Sequence, residues 1–166
     1  MINMKVYNVS NRKMLILIVF ILGLISIDIS AQEVPANLQA ALFKKIFAFD
    51  KTLQAKGVEV AVLGGGDDIV AAFKDAGINV KAVSGNQVPG GVSVVYVVGA
   101  ASTKQQTASK GVLSISGDVS NVESGKVAIA LGIEGGKPKI IINMAQLKAE
   151  GQELSADLLK IARVIQ

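Results

Sequence analysis

The chain has 166 residues, 51% of them apolar but only 4% aromatic, with neither cysteine nor histidine. That length allows one domain with an aliphatic core. The missing residue types remove disulfides, thiolate nucleophiles, cysteine or histidine metal centres and histidine-based catalytic dyads. The formal charge of +4 includes three basic residues and one acidic residue in the first 31 positions, which leaves 14 basic against 12 acidic beyond them. Lysines scattered in this way, with few aromatic platforms, make no nucleic-acid face.

Residues 1–31 read as a secretory signal. Lys5, Arg12 and Lys13 form a basic start, Met14 to Ile27 is an apolar run, and Ser30-Ala31 offers a small-residue cleavage site before Gln32. The run is shorter than the ~20 apolar residues that span a bilayer, and it meets Asp28 at once. A mature domain, 32–166, is therefore expected outside the cytoplasmic membrane, with no membrane span after cleavage.

Val34 to about Gln54 is expected as one helix. Pro35 suits its first position, and Leu38, Ala41, Leu42, Ile46 and Phe49 form an apolar stripe. Phe47 and Phe49 cannot both face one core, and Phe47 is taken as a candidate partner contact. Val58 to Leu63 reads as an aliphatic strand. A turn, Gly64-Gly65-Gly66-Asp67-Asp68, follows, then a helix from Ile69 to Ala76 that Gly77 ends. Ile78 to Val83 returns as a strand, so the pair should be parallel. The glycine turn has the look of an anion-binding loop at a helix start. It lacks the lysine of a phosphate loop and the third glycine of a dinucleotide fingerprint, and Asp67 and Asp68 put negative charge where phosphate would sit. A self-capped turn is expected, or a site for a neutral or cationic ligand formed by Gly64, Gly65, Gly66, Asp67 and Asp68.

Ser84 to Gly91 reads as a loop, Val92 to Val98 as a strand covered on both faces, and Ala101 to Lys110 as a polar surface helix. Val112 to Ser116 is another strand, and Gly117 to Gly125 a polar loop. Asp118 and Glu123 in that loop could be named a carboxylate pair, but nothing fixes their separation.

The final stretch carries the densest local signals. Val127, Ile129, Leu131 and Ile133 alternate with small residues as a strand does. Glu134-Gly135-Gly136-Lys137 suits a tight hairpin, and Lys139 to Ile142 returns. Asn143 can cap a short helix with Gln146 in capping-box register, and Gly151 stops it. Ser155 starts a last helix, with Leu154 and Leu159 spaced as a hydrophobic staple. Asp157 lies in its first turn, and Lys160 and Arg163 in its last.

This stretch resembles the end of the YfiR family of secreted bacterial signalling proteins. The resemblance is carried by a glycine-containing hairpin, a strand closing in Ile142-Asn143, and a helix with Ser155, Leu158, Leu159, Ala162, Arg163 and Val164. The segment Gly111 to Asp118 is similar to the strand before that hairpin. In the family the end of the first helix commonly carries a Trp-Pro pair, whereas here Phe47-Ala48-Phe49-Asp50-Lys51 stands instead.

The expected fold is α/β: a mixed sheet of about six strands, parallel crossovers first and an antiparallel hairpin last, flanked by helices. The resemblance implies a periplasmic regulator that is not an enzyme and needs no cofactor or metal. It would bind a membrane-bound sensor or a diguanylate cyclase, and so act on cyclic di-GMP, with a homodimer among the arrangements it allows. A small-molecule-binding module is the alternative, using the crevice at the C-terminal ends of the parallel strands, with the loops after Leu63 and Val83 as its walls. A hydrolase would need a nucleophile elbow, a Ser-x-x-Lys motif or a fixed carboxylate pair, and no such pattern stands out.

Overall fold

Seven strands in the order β2-β1-β3-β4-β5-β6-β7 form a single mixed sheet. The computed structural model describes residues 33–99 and 102–166, so the expected leader and its cleavage site lie outside the described residues. In chain order the elements are α1 (Ala36–Phe47), α2 (Lys51–Lys56), β1 (Glu59–Leu63), α3 (Asp67–Asp75), β2 (Asn79–Val83), β3 (Val94–Val97) and α4 (Lys104–Lys110). They continue as β4 (Leu113–Ser116), α5 (Val119–Glu123), β5 (Ile129–Glu134), β6 (Lys137–Asn143), α6 (Met144–Ala149), α7 (Ala156–Ile161) and β7 (Arg163–Ile165). Only β5 and β6 pair antiparallel.

The sheet is mixed because of what joins its strands. Gly135 and Gly136 both take positive φ, 58° and 74°, as a two-residue hairpin turn requires, and they set Glu134 opposite Lys137. Every other connection is long enough to carry the chain back across the sheet. Alternation then divides the core between two faces. Val60, Val62, Val94, Tyr96, Leu113 and Ile115 pack towards α1 and α3. Ala61, Leu63, Val95 and Val97 pack on the other side with Val122 of α5 and Val88 and Val92 of the loop before β3. Both faces of β3 and β4 are buried; β3 is accordingly apolar throughout, whereas β4 buries Ser114 and Ser116, whose hydroxyls donate to Glu150 and to the Val97 carbonyl.

Five expectations need correction. The first helix is broken: α1 ends at Phe47 and α2 begins at Lys51. The Asp50 carboxylate accepts the N–H groups of Thr52 (2.8 Å) and Leu53 (3.1 Å), which starts a new helix. The backbone of residues 49–51 meanwhile pairs with residues 153–155. The buried stripe of α1 is Gln39, Ala40, Phe43, Ile46 and Phe47; of the expected stripe only Ile46 is buried, and Leu38 is exposed. Phe43 sets that phase. Its ring stacks on Phe47 and lies within 6.1–6.4 Å of Phe73 and Tyr96.

The expected loop 117–125 contains α5, which Asp118 caps by accepting from Ser120 N–H at 2.8 Å. Arg163 is not in the last helical turn. The helix stops at Ile161, and Arg163–Ile165 forms β7, parallel to β6, so the sheet has seven strands where about six were expected. The caps at Asn143 and Ser155 hold. Asn143 Oδ1 accepts from Gln146 N–H at 2.9 Å, and Ser155 accepts from Leu158 N–H.

The Gln146 side chain does not complete the capping box. It turns instead to Glu150, whose carboxylate is wholly buried and accepts from Gln146 Nε2 (2.8 Å), Ser114 N–H (2.9 Å) and Ser114 Oγ (2.5 Å). Burial raises the Glu150 pKa against the opposing pull of these hydrogen bonds.

Candidate functional site

The strand order 2-1-3-4-5 reverses direction between β1 and β3, and in open α/β sheets ligands bind beyond the C-terminal ends of the strands at such a point. A cleft of about 280 Å³ lies there. Gly66 of the β1–α3 turn, Asp68 and Ile69 of the first turn of α3, Tyr96 to Gly99 at the end of β3, and Ser116, Gly117 and Asp118 at the end of β4 contribute to it. The segment Glu33–Ala36 and Gln39 of α1 complete the lining.

Close approach at two glycines shapes this cleft. A Cβ on Gly64, whose φ is 87°, would stand 2.7 Å from the Val98 carbonyl oxygen. A Cβ on Gly117 would stand 2.5 Å from Gln39 Oε1 and 2.6 Å from Tyr96 Oη. Glycine at these two positions lets the turn after β1 and the end of β4 close around β3 and α1.

The polar side chains at the base are engaged with one another. Tyr96 Oη donates to Gln39 Oε1 at 2.7 Å, and Gln39 Nε2 donates to the Val34 carbonyl at 2.6 Å. Ser116 Oγ donates to the Val97 carbonyl at 2.9 Å and accepts from Asp118 N–H and Asn121 Nδ2, each at 3.1 Å. Burial pushes the Tyr96 hydroxyl above the usual phenol range; an N–H from Gly117 opposes the rise, and the carboxylates of Glu33 and Asp68 add to it. Ser116 has no general base within this network, and Tyr96 is held in its neutral form.

The structure separates the residues singled out in the sequence. Gly66 and Asp68 line the cleft, while Gly64 supports its wall. The expected self-capping is absent: Gly66 is the N-cap of α3 in a left-handed conformation, and no side chain caps that turn. Phe47 is elsewhere and buried, at the side of a groove with Lys44, Leu53, Val58 and Ile78. Phe49 is the exposed ring, 43% accessible, so the choice between these two aromatics is reversed. Asp118 and Glu123 form no pair, because Asp118 caps α5 and Glu123 contacts Arg163 Nη2 at 2.7 Å. The loop after Leu63 does form a wall. The loop after Val83 does not, since β2 lies at the sheet edge, outside β1.

Sequence reasoning missed Gln39, Tyr96 and Gly117. The rule that points to C-terminal strand ends applies equally to β3 and β4, and the single tyrosine in an all-valine strand was the available signal. Among the described residues no group of three or more acidic side chains is arranged to hold a metal ion, and no helix is long and apolar enough to cross a membrane.

A family model described as YfiR/HmsC-like matches residues 37–163. No curated protein matches the chain. Solved structures do match, among them the ABC domain in complex with L-Trp from Streptococcus pneumonia, with a TM-score of 0.55 and 16% identity. The likeness covers 79% of this chain, which spans 60% of the length of that structure, and it carries the fold alone.

Proposed function

The chain belongs to the YfiR/HmsC-like family, and from that premise we propose that it is a periplasmic, non-enzymatic regulator of cyclic di-GMP signalling. In this reading the mature domain binds the exported part of a membrane-bound diguanylate cyclase or sensor kinase. It acts by affinity: if it binds one state of the partner better than the other, its occupancy shifts that equilibrium. The family match over residues 37–163 is the observation that carries the reading. The lack of histidine and cysteine and the self-satisfied polar groups of the cleft agree with a protein that acts by contact. Apolar surface is available for such a contact. Leu42, Pro138, Ile140 and Ile161 line a groove between α1 and the β5–β6 hairpin, and Ile161 is 62% exposed. Envelope extract passed over the immobilised mature domain tests the proposal. Recovery of a membrane protein with a cyclase or kinase output domain is expected, and recovery of none counts against it.

A second reading is favoured by the cleft itself. A preformed recess at the switch point of a doubly wound sheet is where such folds hold small molecules, so the regulator would also be a ligand receptor. Binding selective for the folded state raises the melting temperature, which a small-molecule panel would reveal.

A further inference from the structure

We infer that the cleft beyond β1, β3 and β4 takes a small organic cation, a protonated amine carried on an apolar body; this rests on the ligand reading of the cleft. The recess defines the site, and its lining defines the class. Its apolar surface comes from Val34, Ile69, Val97 and Val98, which can cover a hydrocarbon or aromatic body. The charged residues that line it, Glu33, Asp68 and Asp118, are all acidic, and among the described residues no lysine or arginine joins them. None of these three carboxylates forms a salt bridge with a described residue.

An anionic ligand would find little to hold it. The Tyr96 hydroxyl proton is given to Gln39, a Gln39 amide proton to Val34, and the Ser116 proton to Val97. The first turn of α3 favours an anion, since its aligned peptides amount to roughly half a positive charge. Three carboxylates outweigh that, and Asp68 lies in that same turn. The acidic side chains are not arranged as a metal centre either. An ammonium group at the rim with its apolar body inside satisfies both parts of the lining.

The test uses three probes of one shape: phenethylammonium, 2-phenylethanol and 3-phenylpropionate. Binding to the full domain is followed through Tyr96, the only tyrosine among residues 33–166. The ammonium should bind about five- to tenfold more tightly than the alcohol, with the carboxylate weakest. High salt and the double substitution Glu33→Gln, Asp68→Asn should each shrink that preference, because the rim charges are solvent-exposed. Equal or tighter binding of the alcohol or carboxylate overturns the charge class and leaves the cleft a ligand site. Failure of all three probes to perturb Tyr96 or the melting temperature at millimolar concentration overturns both.

Discussion

The Tyr96 hydroxyl donates to Gln39 Oε1 at 2.7 Å, and through that bond the first helix is tied to β3 directly under the cleft. Both side chains are buried, and Gln39 is the one polar residue on the inward stripe of α1. Tyr96→Phe leaves Gln39 Oε1 buried without its donor and should cost about 1–3 kcal/mol by denaturant unfolding. Gly117→Ala places a methyl group against the same pair and should cost about 1–3 kcal/mol through overpacking. Midpoints unchanged in both variants would show that the pair does not fix the helix.

The same pair shows how far the sequence could be read. The identities of β1 to β6, the parallel-then-hairpin order and the caps at Asn143 and Ser155 follow from local chemistry, because each depends on residues within a few positions; β7, expected as the last helical turn, does not. The phase of α1 does not. Leu38, Ala41, Leu42, Ile46 and Phe49 have helical spacing, and so do Ala40, Phe43, Ile46 and Phe47; Phe73 and Tyr96, distant in sequence, decide between them. The break at Asp50 had a local signal in its capping side chain, but the pairing of residues 49–51 with 153–155 spans a hundred positions. Cleft residues contributed by α1 and β4 became neighbours of β1 only through strand order, which no local pattern encodes.

Two buried carboxylates make stability depend on pH. Burial raises the pKa of Glu150 above its ordinary value of 4.5 and that of Asp50 above 3.8. The folded state therefore keeps protons that the unfolded chain has lost. The resulting stabilisation is complete below the ordinary values and is lost as pH rises through the folded ones, with a limiting slope of about 1.4 kcal/mol per pH unit for each proton. Urea unfolding across pH 4–8 should show this decline, and Glu150→Gln should flatten it. A wild-type curve that rises over this range would contradict the assignment.

Phe47 and Phe49 should separate cleanly. Phe47 is packed on Phe43, with ring centroids 6.2 Å apart, so Phe47→Ala should cost about 3–5 kcal/mol. Phe49→Ser removes an exposed ring and should change stability by about 0.5 kcal/mol or less. If the proposed partner uses this surface, its capture by the Phe49 variant will fall while the melting temperature stays. Equal stability losses in the two variants would contradict the broken helix.

Arg163 joins β7 to two other elements, with Nη2 at 2.7 Å from Glu123 and Nε at 3.0 Å from Glu134. These groups are 40–49% exposed, so each contact is worth no more than about 1 kcal/mol. Arg163→Ala should therefore lower global stability only slightly, yet speed amide exchange in β7, an edge strand of three residues. Unchanged exchange at Val164 and Ile165 would show that the strand is held by packing alone.

The central claim is regulation by contact outside the cytoplasmic membrane. Its most direct test measures cyclic di-GMP in cells of the native host lacking this protein, complemented with the full chain or with residues 32–166 alone, which lack the expected leader. The account predicts a changed level restored by the full chain and not by the leaderless form. A level that is the same in all three strains, or restored equally by the leaderless form, would contradict it.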